Sequence, residues 1–136
     1  IFAPLGVENG YNPYDAIKEI QTVVFKLHNS CIKNKVRLEK ALAEIEKIKV
    51  KLGNLTARDP HELVRCHEAM AMAINAELLF KASLLRTETR GTNIREDYPE
   101  RDDKNWLKWI IIRKEKGEAK FWTEPVPIKK YKYRPD

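Results

Sequence analysis

Two residue pairs, Asn12-Pro13 and Asp59-Pro60, constrain this chain more than any other feature. In each, a short polar side chain able to accept a first-turn amide stands ahead of a proline, whose fixed backbone suits the first helical position. Downstream of Asn12, Ile17, Ile20, Val24, Leu27 and Cys31 recur at spacings of three and four, which predicts a helix over about 13–32 with one apolar face. The polar stretch Lys33-Asn34-Lys35 interrupts the period. A second helix over about 35–52 carries Leu38, Ala41, Leu42, Ile45, Ile48 and Leu52 on one face, and Gly53-Asn54 stops it. Downstream of Asp59, Glu62 stands three positions on, as in a capping box. Leu63, Cys66, Met70, Ala73, Ile74, Leu78 and Leu84 then predict the longest helix, over about 60–90 and closed by Arg90-Gly91. Its alanines Ala69, Ala71, Ala73 and Ala76 allow a neighbouring helix to approach closely.

Three such helices with short connections bury their faces on one another, so the expected fold is mainly α. The expectation is an antiparallel, spectrin-repeat-like three-helix bundle, forming a single domain over 1–136. After Gly91 the pattern changes. Thr92 to Lys104 is crowded with Arg, Asp and Glu around Tyr98-Pro99 and has no helical period. Trp106 to Ile112 reads as a strand, Lys116-Gly117 as a turn and Ala119 to Trp122 as the returning strand, giving a hairpin over about 106–124. Pro125-Val126-Pro127 through Tyr131, Tyr133 and Pro135 is expected to be extended.

Chemistry is sparse. There is no GxGxxG, no P-loop and no nucleophile elbow. His28, His61 and His67 lack metal-ligand spacing, and Cys31 and Cys66 form no CxxC. The two thiols are expected buried and reduced in a cytoplasmic protein, with a disulfide between two helices as the alternative. No catalytic, cofactor-binding or metal-binding residue is assigned to this chain. No apolar run approaches the roughly 20 residues that span a bilayer, and the N-terminus lacks a signal-peptide layout. The start at Ile1 rather than Met suits a trimmed product or fragment. The formal charge is +6, and from Arg101 onward eleven Lys/Arg face six Asp/Glu, so the excess sits in the tail. That tail is solvated or meets an acidic subunit or an anionic surface. Trp106, Trp109, Trp122, Tyr131 and Tyr133 on a basic segment invite base stacking. Alternating aromatics on a hairpin more often pack on a bundle or another domain, so nucleic-acid binding is not expected.

Glu96, Asp97, Glu100, Asp102 and Asp103 are interleaved with Arg95 and Arg101, a pattern for an ion-pair network rather than paired catalytic carboxylates. The segment from Arg86 to Leu107 is a helix end stopped by glycine, followed by a loop tied down by alternating charges. Such charge density needs specific partners, as expected where one domain is held in a fixed orientation on another.

That segment resembles the signature of the C-terminal domain of succinate dehydrogenase and fumarate reductase flavoprotein subunits, shared with L-aspartate oxidase and adenylylsulfate reductase alpha subunits. The matching positions are Arg86, Glu88, Arg90, Gly91, Arg95, Asp97, Tyr98, Pro99, Arg101, Asp102, Asp103 and Trp106. Ile1-Phe2-Ala3-Pro4, Asn12-Pro13-Tyr14 and Glu124-Pro125-Val126-Pro127 follow the family order as well, so the likeness covers essentially the whole chain. Thr89 stands where Ser is usual, and Asn93 where His is usual. The resemblance implies a parent oxidoreductase that binds FAD in an upstream Rossmann-type domain and acts on succinate or fumarate. The substrate-clamping residues of that parent lie upstream as well. This chain is then left with docking through Arg86, Glu88, Arg90, Arg95, Asp97, Arg101, Asp103 and Trp106 onto the flavin-binding domain of the same polypeptide. The resemblance further implies an iron–sulfur subunit against the basic tail, and membrane association through partner subunits rather than direct insertion. The alternatives are an adenylylsulfate reductase alpha-type parent and a stand-alone helical interaction module.

Overall fold

The Asn12 side chain accepts the Tyr14 amide at 2.8 Å and opens helix α1 (Pro13–Val24). Asn34 does the same for the Arg37 amide at 3.0 Å, ahead of α3 (Lys35–Leu52). Asp59 accepts the Glu62 amide at 2.8 Å, ahead of α4 (Pro60–Leu85). These elements belong to a computed structural model that describes residues 2–132; Ile1, Tyr133 and Pro135 lie outside the described residues. The Glu62 carboxylate closes its capping box one residue early, on the Arg58 amide at 2.9 Å, and also binds the Arg58 guanidinium. Those bonds hold the Glu62 carboxyl down at about 2.

The fold is a helical bundle with a small antiparallel hairpin at its C-terminal end. Helices α1, α3 and α4 each pack against the other two, around a core that includes Ile20, Leu38, Ile45, Cys66, Ala73 and Phe80. Each large aliphatic or aromatic side chain in that core contributes about 1.5–3 kcal/mol by leaving water. Ala69, Ala73 and Ala76 are buried, and they let the neighbouring helices come close. The α4 core face follows Leu63, Cys66, Ala69, Ala73, Ala76, Phe80 and Ser83. Ile74, read as core from its apolarity, is exposed on the side that faces the hairpin.

Four sequence-based boundaries move. The helix expected over 13–32 breaks after Val24, and a separate short helix, α2 (Leu27–Ser30), follows. The break is held by buried Asn29, whose side-chain amide donates to the Val23 carbonyl at 2.8 Å and so replaces the next backbone amide. Phe25 is left 72 % exposed and Leu27 is exposed as well. The helix expected to reach Arg90 ends at Leu85, with Arg86 extended, because a guanidinium takes its last carbonyls (below). Trp106, read as strand, ends a short helix, α5 (Asp103–Trp106), capped by Asp102 accepting the Asn105 amide at 3.0 Å. In the tail read as extended, Ile128–Lys130 form a 3-10 turn closed by the Lys130 amide on the Pro127 carbonyl at 2.9 Å.

The hairpin pairs β3 (Lys108–Glu115) with β4 (Glu118–Pro125), Ile111 standing opposite Trp122. Lys116 and Gly117 both have positive φ, 50° and 93°, the two-residue turn that matches strand twist. A two-residue parallel ladder joins β1 (Ile32–Lys33) to β2 (Ile94–Arg95), stitching the charged loop to the start of α3. Cys31 and Cys66 are free thiols, and burial pushes the Cys66 thiol up.

At the other end, the Tyr11 amide donates to the Asn54 carbonyl at 2.7 Å and the Thr56 amide to the Tyr11 carbonyl at 3.1 Å. Gly10 permits this approach, since a Cβ there would lie 2.6 Å from the Asn54 oxygen, a backbone atom with little room to yield. Gly10→Ala is therefore expected to destabilise the fold by about 1–3 kcal/mol, the range for overpacking. Urea unfolding checks it, and an unchanged midpoint would contradict the packing described.

Candidate domain-docking site

The charged segment is built on the end of α4. Arg95, 1 % exposed, sends its Nη1 to the Ser83 carbonyl and to the Arg86 carbonyl at 2.7 Å. A cation there suits the negative end of the helix and satisfies carbonyls that no amide reaches. The Nε and Nη2 atoms grip both oxygens of Asp97 at 2.8 Å. Asp97 Oδ2 in turn accepts the Lys35 amide, in the first turn of α3, at 2.9 Å. One ion pair thus places its cation at the C-terminus of α4 and its anion at the N-terminus of α3. The Arg95 guanidinium also lies over the Tyr98 ring, 5.0 Å from its centroid.

The second cluster centres on Glu88, whose side chain is 0 % exposed. Its carboxylate accepts Arg86 Nη1 at 2.5 Å, Arg90 Nε at 2.7 Å, Arg90 Nη2 at 2.9 Å and the Asp102 amide at 2.9 Å. Burial pushes the Glu88 carboxyl up, but the bonds from Arg90, the Asp102 amide and Arg86 outweigh it and the net shift is downward. Arg90 continues to Asp103 at 2.5 Å, and Arg101 binds the same carboxylate at 2.8 and 2.7 Å. Arg101, then Arg90, hold Asp103 at about 2. Arg86 Nη2 donates to the Lys108 carbonyl at 2.8 Å, fastening the base of the hairpin, and its guanidinium lies 5.1 Å from the Trp106 ring centroid. The Trp106 indole donates to Thr87 Oγ1 at 2.9 Å.

All eight candidate residues therefore fall in two adjoining networks, but at different depths. Glu88 and Arg95 lie inside the domain with bonds to this chain's own groups, Arg86 and Arg90 are partly covered, and Asp103 and Arg101 reach solvent. The hydroxyl of Thr89, where the family signature has Ser, accepts the Arg95 amide at 2.9 Å and donates to the Tyr98 carbonyl at 3.0 Å. Either residue supplies that group. Lys33 escaped the sequence reading, which took it as part of a polar interruption. It is buried, with Nζ 3.0 Å from Ser83 Oγ and 3.0 Å from Asn93 Oδ1, and burial lowers its pKa. Asn93, the departure from the usual His, thus accepts a buried amine; no periodicity signals that pairing.

The family described as "Fumarate reductase flavoprotein C-term" matches residues 18–136. An uncharacterised FAD-dependent oxidoreductase of Methanocaldococcus jannaschii is 34 % identical over 113 residues, 83 % of this chain and 20 % of that protein. The fumarate reductase flavoprotein subunit of Helicobacter pylori is 29 % identical over 125 residues, 90 % of this chain and 15 % of that subunit. Among solved structures, adenylylsulfate reductase from the hyperthermophilic Archaeoglobus fulgidus superposes with a TM-score of 0.81 at 27 % identity, over 91 % of this chain and 21 % of the other. The chain spans only 15–20 % of the length of the two sequence relatives.

The Asp97 carboxyl is held at about 2 by Arg95, below its ordinary 3.8. A carboxyl depressed on folding stabilises the fold above its unfolded value and loses that contribution as pH falls through the folded value. Thermal stability should therefore decline from about pH 4 towards pH 2. Asp97→Asn should cost about 2 kcal/mol at neutral pH and flatten that acid limb. Melting curves at stepped pH read both, and an identical acid limb in the variant would contradict the assignment.

Proposed function

The chain belongs to the fumarate reductase flavoprotein C-terminal family, and from that premise we propose that it docks on the flavin-binding domain of an FAD-dependent oxidoreductase of the succinate/fumarate kind. The observation that carries this is Glu88, fully buried and bonded by Arg86, Arg90 and the Asp102 amide. A carboxylate removed from water costs several kcal/mol unless its partners are fixed. Here that requirement holds Arg90, Arg101 and Asp103 in one arrangement at the surface. A pre-set array of guanidinium and carboxylate groups recognises a partner without a further ordering cost.

The docking surface is the outer layer of the array, and Glu88 and Arg95 are the fixings beneath it. FAD itself does not fit here. Among the described residues the positive-φ glycines, Gly91 and Gly117, sit in two-residue turns, Arg90–Asn93 and Glu115–Glu118, and neither opens a helix towards a pyrophosphate. Flavin binding and dicarboxylate chemistry belong to the upstream domain in this reading, and an iron–sulfur subunit is the partner assigned to the basic end. No described helix is long and apolar enough to cross a membrane.

Arg101 separates docking from folding, because its side chain is 59 % exposed and among the described residues bonds only Asp103. In the full-length protein, Arg101→Ala is expected to leave the unfolding midpoint of this domain unchanged while measurably increasing FAD loss on gel filtration. FAD retention equal to the parent's, in both Arg101→Ala and Arg90→Ala, would remove the docking role.

A further inference from the structure

Lys33 is a cationic side chain buried without an anion. It is 4 % exposed, and its Nζ reaches two neutral oxygens, Ser83 Oγ on α4 and Asn93 Oδ1 in the charged loop, each at 3.0 Å. Among the described residues it makes no ion pair. The β1–β2 ladder fixes it at that depth. Lys33 stands opposite Arg95, its carbonyl accepts the Glu96 amide at 2.9 Å, and the Cys31 carbonyl accepts the Ile94 amide at 3.1 Å. Arg95 has both oxygens of Asp97 to itself. Lys33, its neighbour across the ladder, has no carboxylate.

Such an amine does not stabilise the fold. Burial lowers it from the ordinary lysine value of 10.5, Cys31 opposes that shift, and Arg95 adds to it. The unfolded chain therefore binds the proton more tightly. The amine weakens the fold below its folded value, and the cost fades as pH rises towards 10.5. An unbranched apolar side chain would fill the same space without that cost. What the amine contributes is visible at its second acceptor.

Asn93 connects Lys33 to the docking array. Its Oδ1 takes Lys33, its Nδ2 donates to the Glu88 carbonyl at 3.4 Å, and its backbone exchanges two hydrogen bonds with Arg90, at 3.0 and 3.1 Å. The turn so closed carries Gly91 at φ 57°, and its tip, Gly91 and Thr92, is exposed. Glu88 fixes the far end of the Arg90 side chain. Lys33 fixes the backbone from which that side chain springs, and through Ser83 it ties the turn to the last turn of α4.

We propose that Lys33 is the positioning residue of the docking array: through Asn93 it holds the Arg90–Asn93 turn, and with it the Arg90 guanidinium, in register for the flavin domain. The proposal rests on the docking reading above. Charged groups recognise a partner only within narrow limits of position, so an array is as good as the contacts that support it from behind.

The test compares Lys33→Met, Asn93→Leu, the double variant and Arg90→Ala in the full-length protein. Three quantities are read on each: the unfolding midpoint, hydrogen exchange of the Arg90 and Asn93 amides, and FAD loss on gel filtration. Lys33→Met is expected to keep or raise the midpoint, to speed exchange of both amides about tenfold or more, and to lose FAD faster than the parent. Asn93→Leu strands the buried amine and should lower the midpoint. Adding Lys33→Met to it should restore the midpoint and leave FAD loss as fast, which a merely structural role does not predict. Unchanged exchange in Lys33→Met overturns the proposal. So does FAD loss that only follows the midpoint across the variants, or parental FAD retention in Lys33→Met where Arg90→Ala loses FAD. If Arg90→Ala also retains FAD, the docking reading is what fails, and amide exchange alone decides whether Lys33 holds the turn.

Discussion

Arg95 and Asp97 join the two helix ends on which the rest of this domain depends. A guanidinium at the last carbonyls of α4 and a carboxylate on the first turn of α3 each neutralise a helix dipole. Because the two charges also grip each other in a bidentate pair, the end of one helix and the start of another are fixed relative to each other. The chain leaving α4 must then turn where Arg95 takes its carbonyls. Glu88 lies two residues beyond that turn, in reach of Arg86, Arg90 and the Asp102 amide. The loop is ordered by charges it cannot leave unpaired, and apolar packing contributes little to it.

The parts of the fold set by local grammar were legible in the residues. Asn12 and Asp59 mark their helix starts because a cap acts within three residues, and Lys116-Gly117 marks its turn because positive φ is a local demand. The parts set by distant partners were not. The break after Val24 rests on the Asn29 side chain folding back to a carbonyl, and apolar spacing runs through it without interruption. The end of α4 rests on an arginine ten residues further on, so the glycine at 91 reads as the stop although the helix has already ended. Trp106 looks like strand by composition, yet Asp102 caps a single helical turn there. In the candidate site, the dense alternation of Arg with Asp and Glu foretold ion pairs, and Asp97 and Asp103 make them with Arg95 and Arg101, whereas Glu96 reaches Arg37 of α3 and Asp102 caps α5. Depth was hidden, since nothing in the spelling of Glu88 or Arg95 distinguishes them from exposed Arg101. Lys33 shows the same limit, its partners Ser83 and Asn93 standing 50 and 60 positions away.

The domain divides its labour by surface. The helical part is close to charge balance and closed around its core, the 86–106 segment presents a fixed array of charges, and the hairpin carries apolar side chains on both of its sides. In the reading proposed above, a chain that spans about a fifth of the length of its M. jannaschii relative shows such faces where it meets a flavin domain and partner subunits. The central claim is that the array is rigid before any partner arrives. Native-state hydrogen exchange of this chain tests it most directly, through the Arg95 and Asp102 amides, whose acceptors are Thr89 Oγ1 and Glu88 Oε2. If the ion-pair networks order the loop, both amides exchange only through the global opening that releases the centre of α4, about a thousandfold or more slower than an unstructured chain. Exchange within about tenfold of the unstructured rate would mean the loop is ordered only on its partner, and the account of a preformed docking surface would fail.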